Sequence, residues 1–305
     1  MAAGCRRYLA TDIQYVNSLA DPSISKKKDP SVTRSYCLSY LTLELSPPET
    51  ITLAARSAYQ SAGVRLMPAL PGGQAFPLWK DAAMLRETER AIADTGVPIH
   101  DIEIACIDGE TRVGHWMPML ETAGRLKART VIAAGLDKDE GRLTDTFAAL
   151  CEAARPFGLS INLEFTPWAP LNSAAAALRV VTDADQPNGE VLIDTIHVAR
   201  SATTLDDLRG IPATRMSYLQ ICDCPASPAE SVEDLLFTAR QERLLPGEGG
   251  ADLAGIVGAL PADLIVSVEI PSHRRIADMG HAAWAEFCLA ESRRAMADFD
   301  AKRQP

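Results

Sequence analysis

Four apolar runs in the second half of the chain each carry a side chain that could hold a hard cation. Leu159 to Phe165 carries Glu164, and Glu190 to Ile196 carries Asp194. Tyr218 to Cys222 carries Gln220, and Leu264 to Ile270 carries Glu269. Three carboxylates and one amide oxygen make an oxygen-rich site. One divalent ion suits it, Mn²⁺ or Mg²⁺ before Co²⁺ or Zn²⁺. Any one of these residues alone reads as a helix cap or an arginine partner. Four at matching places read as a metal site.

Other residues fit around such an ion. His197 follows Asp194 by three positions, so a neutral imidazole there would donate a hydrogen bond or move a proton beside the metal. In a continuing strand, positions three apart face opposite sides. His197 therefore joins Asp194 only if the strand breaks after Ile193. Arg243, in Arg-Leu-Leu-Pro-Gly-Glu-Gly, could hold a substrate oxygen, and Arg200 could play the same part. Trp168 could wall the pocket. His100, His115, His273 and His281 share no spacing pattern, and Cys222-Asp223-Cys224 has no partner motif that would make it a soft-metal site.

Positioning these groups requires strands that end at one rim. From Ser35 onward apolar strand-like runs alternate with helical stretches. The strands are expected at 36–45, 64–70, 100–107, 130–135, 159–165, 190–196, 217–223 and 264–270. The helices are expected at 49–62, 78–95, 112–127, 141–156, 173–184, 203–209, 251–259 and 281–299. Ser46-Pro47-Pro48-Glu49 has the composition of a helix start, and Gly63, Gly96 and Gly158 each follow a helical stretch, as terminating glycines do. Eight βα units predict a single closed (β/α)₈ barrel of class α/β over residues 35–305, with an N-terminal extension over 1–34. The rival, an open doubly wound sheet, lacks a glycine-rich turn after its first strand. Cys224 to Gly250 is extra to the rhythm. Its prolines and glycines predict a loop on the ligand side, able to act as a lid.

The chain has 305 residues, 47% hydrophobic and 23% charged, which is enough for a large core. The net charge of −10 speaks against a nucleic-acid surface, and no apolar run has the length of a membrane span. Seven scattered cysteines suit reduced thiols, and no apolar stretch follows Arg6 and Arg7, so a cytoplasmic protein is expected. Lys26-Lys27-Lys28 reads as a solvated charge cluster. Association of identical copies is left open.

The second half of the chain resembles the xylose isomerase-like TIM-barrel superfamily, which includes sugar (phosphate) isomerases and epimerases and the inosose and 3-dehydroshikimate dehydratases. The resemblance rests on Leu-Glu-Phe (163–165), Asp-Thr-Ile-His (194–197), Leu-Gln-Ile-Cys-Asp (219–223), the Arg243 to Gly249 segment and Val-Glu-Ile-Pro (268–271). The first half resembles it only in βα rhythm. The resemblance implies one divalent metal held by Glu164, Asp194, Gln220 and Glu269, with substrate contacts from His197 and Arg243. Gln220 departs from the histidine of many epimerases and makes the set all-oxygen. The histidine-rich DNA-repair branch does not fit a chain with five histidines and an acidic balance.

The expected activity is metal-dependent isomerisation or epimerisation of a ketose or polyol-type substrate through an enediolate. Glu164 and Glu269 would exchange the proton. Two alternatives stand beside it. A dehydratase would expel a β-hydroxyl from the same intermediate, with His197 as acid. A non-catalytic sugar-binding protein would bind without chemistry. The partner in each case is a small sugar or cyclic polyol.

Overall fold

A computed structural model describes residues 34–302. The expectations for the N-terminal extension fall almost wholly outside that range. Eight parallel strands close into a barrel in sequence order. They are β1 (Tyr36–Leu38), β2 (Ser61–Arg65), β3 (Ile99–Ile107), β4 (Thr130–Gly135), β5 (Ser160–Glu164), β6 (Gly189–Asp194), β7 (Tyr218–Ile221) and β8 (Ile265–Val268). β1 closes the ring by pairing with β8, Tyr36 against Val266 and Leu38 against Val268. The first helices are α1 (Pro47–Arg56), α2 (Ala82–Thr95), α3 (Met117–Arg125), α4 (Glu140–Ala154) and α5 (Ala174–Asp183). They are followed by α6 (Thr195–Ala199), α7 (Leu205–Arg209), α8 (Val232–Gln241), α9 (Leu253–Ala259), α10 (His273–Met279) and α11 (His281–Lys302).

Strand parity aims the functional residues. Successive strand side chains face opposite sides. Val191 and Ile193 join the large core between sheet and helices, while Leu192 packs inside the barrel with Ile104, Ile132 and Tyr218. Asp194 shares the parity of Leu192 and so faces inward. Gln220 shares that of Tyr218. In β5, Ile161 and Leu163 belong to the outer core, which turns Glu164 inward. In β8, Val266 and Val268 do the same for Glu269.

Several boundaries differ from the sequence reading. β1 stops at Leu38 and a 3₁₀ turn takes Tyr40–Thr42, so the expected strand over 36–45 is only three residues long. α1 ends at Arg56, and β2 begins at Ser61, earlier than the expected 64. Gly63 is therefore not a helix terminator but a strand residue, where a Cβ would lie 2.4 Å from Asp101 Oδ1. Gly96 and Gly158 do take left-handed backbone, with φ of 72° each, directly after helical turns. The Ser46 N–H donates to Glu49 Oε2 at 3.2 Å, as the start signal predicts. The Cys224–Gly250 insertion contains α8. Ser231 caps it, accepting from the Asp234 N–H, and Glu233 and Asp234 lie in its first turn.

Candidate metal and substrate site

The rim at the strand C-termini encloses a cavity of about 370 Å³. Glu164, Gln220 and Glu269 line it together with His197, Trp168 and Arg243. Asp194 lies just beneath, its side chain fully buried. It pairs in register with Gln220 across β6 and β7.

Asp194 is also the N-cap of α6, accepting from the Ile196 N–H at 3.0 Å. The strand thus breaks where the sequence demanded, and His197 comes round on the first helical turn. Its Nε2 is 3.6 Å from both Glu164 Oε1 and Asp194 Oδ2. One donor atom from each of Glu164, Asp194 and His197 lies within 4.8 Å of the others. The Trp168 and His197 rings stand nearly perpendicular, 5.1 Å between ring centres.

Glu269 sits in a denser network. Its Oε1 accepts from Ser39 Oγ and from Gln220 Nε2, each at 2.8 Å, and its Oε2 faces Arg243 Nη2 at 3.0 Å. Arg243 also donates through Nη1 to Asp194 Oδ2 at 2.7 Å and through Nε to the Ala239 carbonyl at 2.7 Å. Its side chain is only 3% exposed. The sequence suggested an arginine held over substrate. In the structure its fork is spent on Asp194 and Glu269, with one flank on the cavity.

The electrostatics are those of a site short of positive charge. Burial pushes the Glu164 carboxyl well above the usual carboxylate range, and the charges of Glu269 and Asp194 push the same way. Burial raises Glu269 to about 7, against the pull of Arg243. Burial, then Arg243, holds His197 well below the usual imidazole value, so it is neutral. Gln220 Oε1 and His197 Nδ1 are buried without hydrogen-bond partners. Such orphans are costly unless something meets them. A divalent cation answers both the charge and the bare amide oxygen, so the donor set fits one.

Arg200 does not join the cavity. It donates to the Pro225 carbonyl on the flank of the barrel. Cys222 and Cys224 are buried free thiols, and Cys222 Sγ lies 3.3 Å from Arg243 Nη1. Residues the sequence reading passed over complete the wall. Arg65 and Glu103, at the ends of β2 and in β3, form an ion pair, with Arg65 Nε 2.9 Å from Glu103 Oε2. Arg240 of α8 lies over the Trp168 ring. Ser39 follows β1. Ser39 and Arg65 sit at strand ends, like the residues of the second half, and that rule points to them.

The family profile of the xylose isomerase-like TIM barrel matches residues 51–292, and the chain belongs to this family. Among characterised relatives, the 3-dehydroshikimate dehydratase of Pseudomonas aeruginosa is 32% identical over 136 residues, 43% of this chain and 20% of that one. The inosose isomerase of Bacillus licheniformis is 25% identical over 166 residues, 50% of this chain and 57% of that one. The chain thus spans about a fifth of the length of the dehydratase. A crystal structure of the IolI protein with a bound zinc atom superposes with a TM-score of 0.69 at 19% identity, over 88% of this chain and 99% of that one.

Proposed function

We propose that this chain is a divalent-metal-dependent enzyme that moves a proton next to a carbonyl of a polyhydroxylated small molecule, as an isomerase or epimerase. The observation that carries the reading is a charge imbalance. Glu164, Asp194 and Glu269 converge at one rim, and Arg243 is the cation that bridges two of them. Three carboxylates against one guanidinium leave the charge of a dication. Glu164, Asp194, Gln220 and Glu269 would hold it, with His197 beside it. The ion would supply Lewis-acid polarisation of the substrate's oxygens.

The protein's own groups do the rest. Glu164 has no cation or strong donor on it in this network, so it is the freer of the two carboxylates to take a proton from carbon. Glu269, fixed by Ser39, Gln220 and Arg243, is the one to return a proton to the neighbouring carbon. Trp168 screens one side from water. Neutral His197 stands within reach of both Glu164 and the cavity, ready to donate to a substrate oxygen.

A second reading, a dehydratase, would use the same residues, with His197 beside Glu164. Glu164 would take the C–H proton, the β-C–O bond would break, and that proton, relayed through the imidazole beside Glu164, would leave with the hydroxyl as water. The identity to 3-dehydroshikimate dehydratases supports it. Incubation of ketose and cyclic keto-polyol candidates in D₂O with Mn²⁺ separates the readings. Deuterium uptake without water loss identifies the isomerase, and an absorbing enone identifies the dehydratase. Binding without any C–H exchange across the panel would remove both and leave a binding protein.

A further inference from the structure

Among the described residues, the arginines around the cavity are paired with carboxylates, with one exception. Arg65 is paired with Glu103. Arg243 is shared by Asp194 and Glu269. Glu44 is paired with His273. Arg240 has no carboxylate within ion-pair distance among the described residues. Its guanidinium carbon sits 5.9 Å from the centre of the Trp168 ring, and the other face of the site begins one ring further on, at His197. Half-burial works against its charge, and the like charge of Arg65 works the same way. Arg65 itself lies over the Tyr40 ring at 4.4 Å, with its side chain 13% exposed.

A basic residue in the last turn of α8 has a bland explanation, the negative end of the helix dipole. That accounts for the residue type. It does not account for a guanidinium lying over a cavity aromatic, in a cavity that Arg65 also lines, with no carboxylate within ion-pair distance among the described residues. Two arginines lining one cavity, only one of them paired with a carboxylate, suit a bound oxyanion. The surplus fits a singly charged group.

We propose that Arg240, lying over Trp168 in the cavity that Arg65 also lines, is the subsite for a carboxylate on the substrate, so that the enzyme acts on a carboxylated cyclic or linear polyol and not on a neutral sugar. This rests on the metal-dependent reading above and narrows its substrate class. The metal end of the cavity takes the hydroxyl and carbonyl oxygens. The Arg240 end takes the carboxylate and sets which way round the substrate lies. Arg240 is a binding and orienting residue, separate from the groups that move protons.

The test uses shikimate and its neutral amide, a matched pair that carries the carboxyl away from the vicinal hydroxyls, with myo-inositol 1-phosphate as the phosphate probe. Affinities are measured by calorimetry on the full-length protein with saturating Mn²⁺. Shikimate should bind at least roughly tenfold more tightly than the amide, the scale of one hydrogen-bonded charge. Arg240→Gln should bring the two to equal affinity while leaving Mn²⁺ affinity unchanged, and Arg240→Lys should keep part of the preference. A preference that survives Arg240→Gln places the carboxylate elsewhere, on the metal for instance, and overturns the proposal. So does equal or absent binding of the pair by the wild type. Tighter binding of inositol phosphate than of shikimate overturns the carboxylate in favour of a phosphate. Failure of the metal reading looks different: no Mn²⁺ uptake, with the preference for shikimate intact.

Discussion

Arg243 Nη1 stands 2.7 Å from Asp194 Oδ2 in a place where both side chains are buried. The pair joins the end of β6 to the segment after α8, 49 residues on in sequence. It makes the loop arginine part of the acidic centre as well as of the cavity wall. Removing one partner of a buried, hydrogen-bonded pair strands the other.

Arg243→Ala is therefore expected to destabilise the metal-free protein by about 3–5 kcal/mol, since Asp194 and Glu269 both lose their counter-ion. Added Mn²⁺ should restore part of that loss, because it supplies positive charge to the same oxygens. Urea titrations with EDTA and with Mn²⁺ give both numbers. A loss of less than about 1 kcal/mol, typical of an exposed pair, would show that the bridge is absent in solution.

Glu164 makes the opposite prediction. Its carboxylate is only 12% exposed, has no cation partner in this network and faces two other acids. Glu164→Gln keeps the shape and removes the repulsion. The metal-free variant should be more stable than wild type by roughly 1 kcal/mol or more, the scale of one ill-served buried polar group. It should also bind Mn²⁺ far more weakly and lose turnover. A variant that is less stable without metal, yet binds Mn²⁺ normally, would take Glu164 out of the ligand set.

The second half of the barrel was legible because its strands are apolar on both faces and stop abruptly. In Val191-Leu192-Ile193-Asp194 the polar residue marks the rim with no help from neighbours. The first half was harder. β1 has three residues, and the run after it stays apolar through a 3₁₀ turn, so the pattern overstated the strand and hid Ser39 at its end. β2 contains Gly63, which punctuates like a helix end, but is there because Asp101 leaves no room for a Cβ. Arg65 and Glu103 were invisible as a pair because their closeness is a register between β2 and β3, a property of the barrel and not of either segment. Arg243 was legible as a site residue, but not its partners, 26 and 49 residues away.

Asp223 supports the next expectation. Its two carboxylate oxygens accept from the backbone N–H groups of Cys224, Gly247, Gly249 and Ala251, at 2.8 to 3.1 Å. Its own backbone pairs with Leu244. One buried acid thus clamps the Pro-Gly-Glu-Gly turn that follows Arg243. Asp223→Ala should cost about 3 kcal/mol or more, as several charge-assisted bonds go at once. Gly249→Ala should fail in the same way, because its Cβ would sit 2.1 Å from the Cys224 carbonyl oxygen. Limited proteolysis should cut both variants between Leu244 and Gly250 faster than wild type. Unchanged proteolysis and stability in Asp223→Ala would mean the turn holds itself.

His197 poses the sharpest question at the centre. Its Nε2 is equidistant, at 3.6 Å, from an oxygen of Glu164 and one of Asp194. Those separations are too long for hydrogen bonds, and they would let the imidazole join a metal as readily as serve a substrate beside it. Two facts favour the second role. Gln220 Oε1 is bare and buried, an oxygen donor the site offers besides its carboxylates. The ring also stands against Trp168, on the cavity side of the two acids. His197→Asn is accordingly expected to keep about one Mn²⁺ per chain and to lose turnover by roughly 10²–10⁴-fold, the range of a lost general acid–base group. Metal content and rate must be measured on the same preparation. Loss of both together would make His197 a ligand, and retention of both would leave it a rim histidine packed on Trp168.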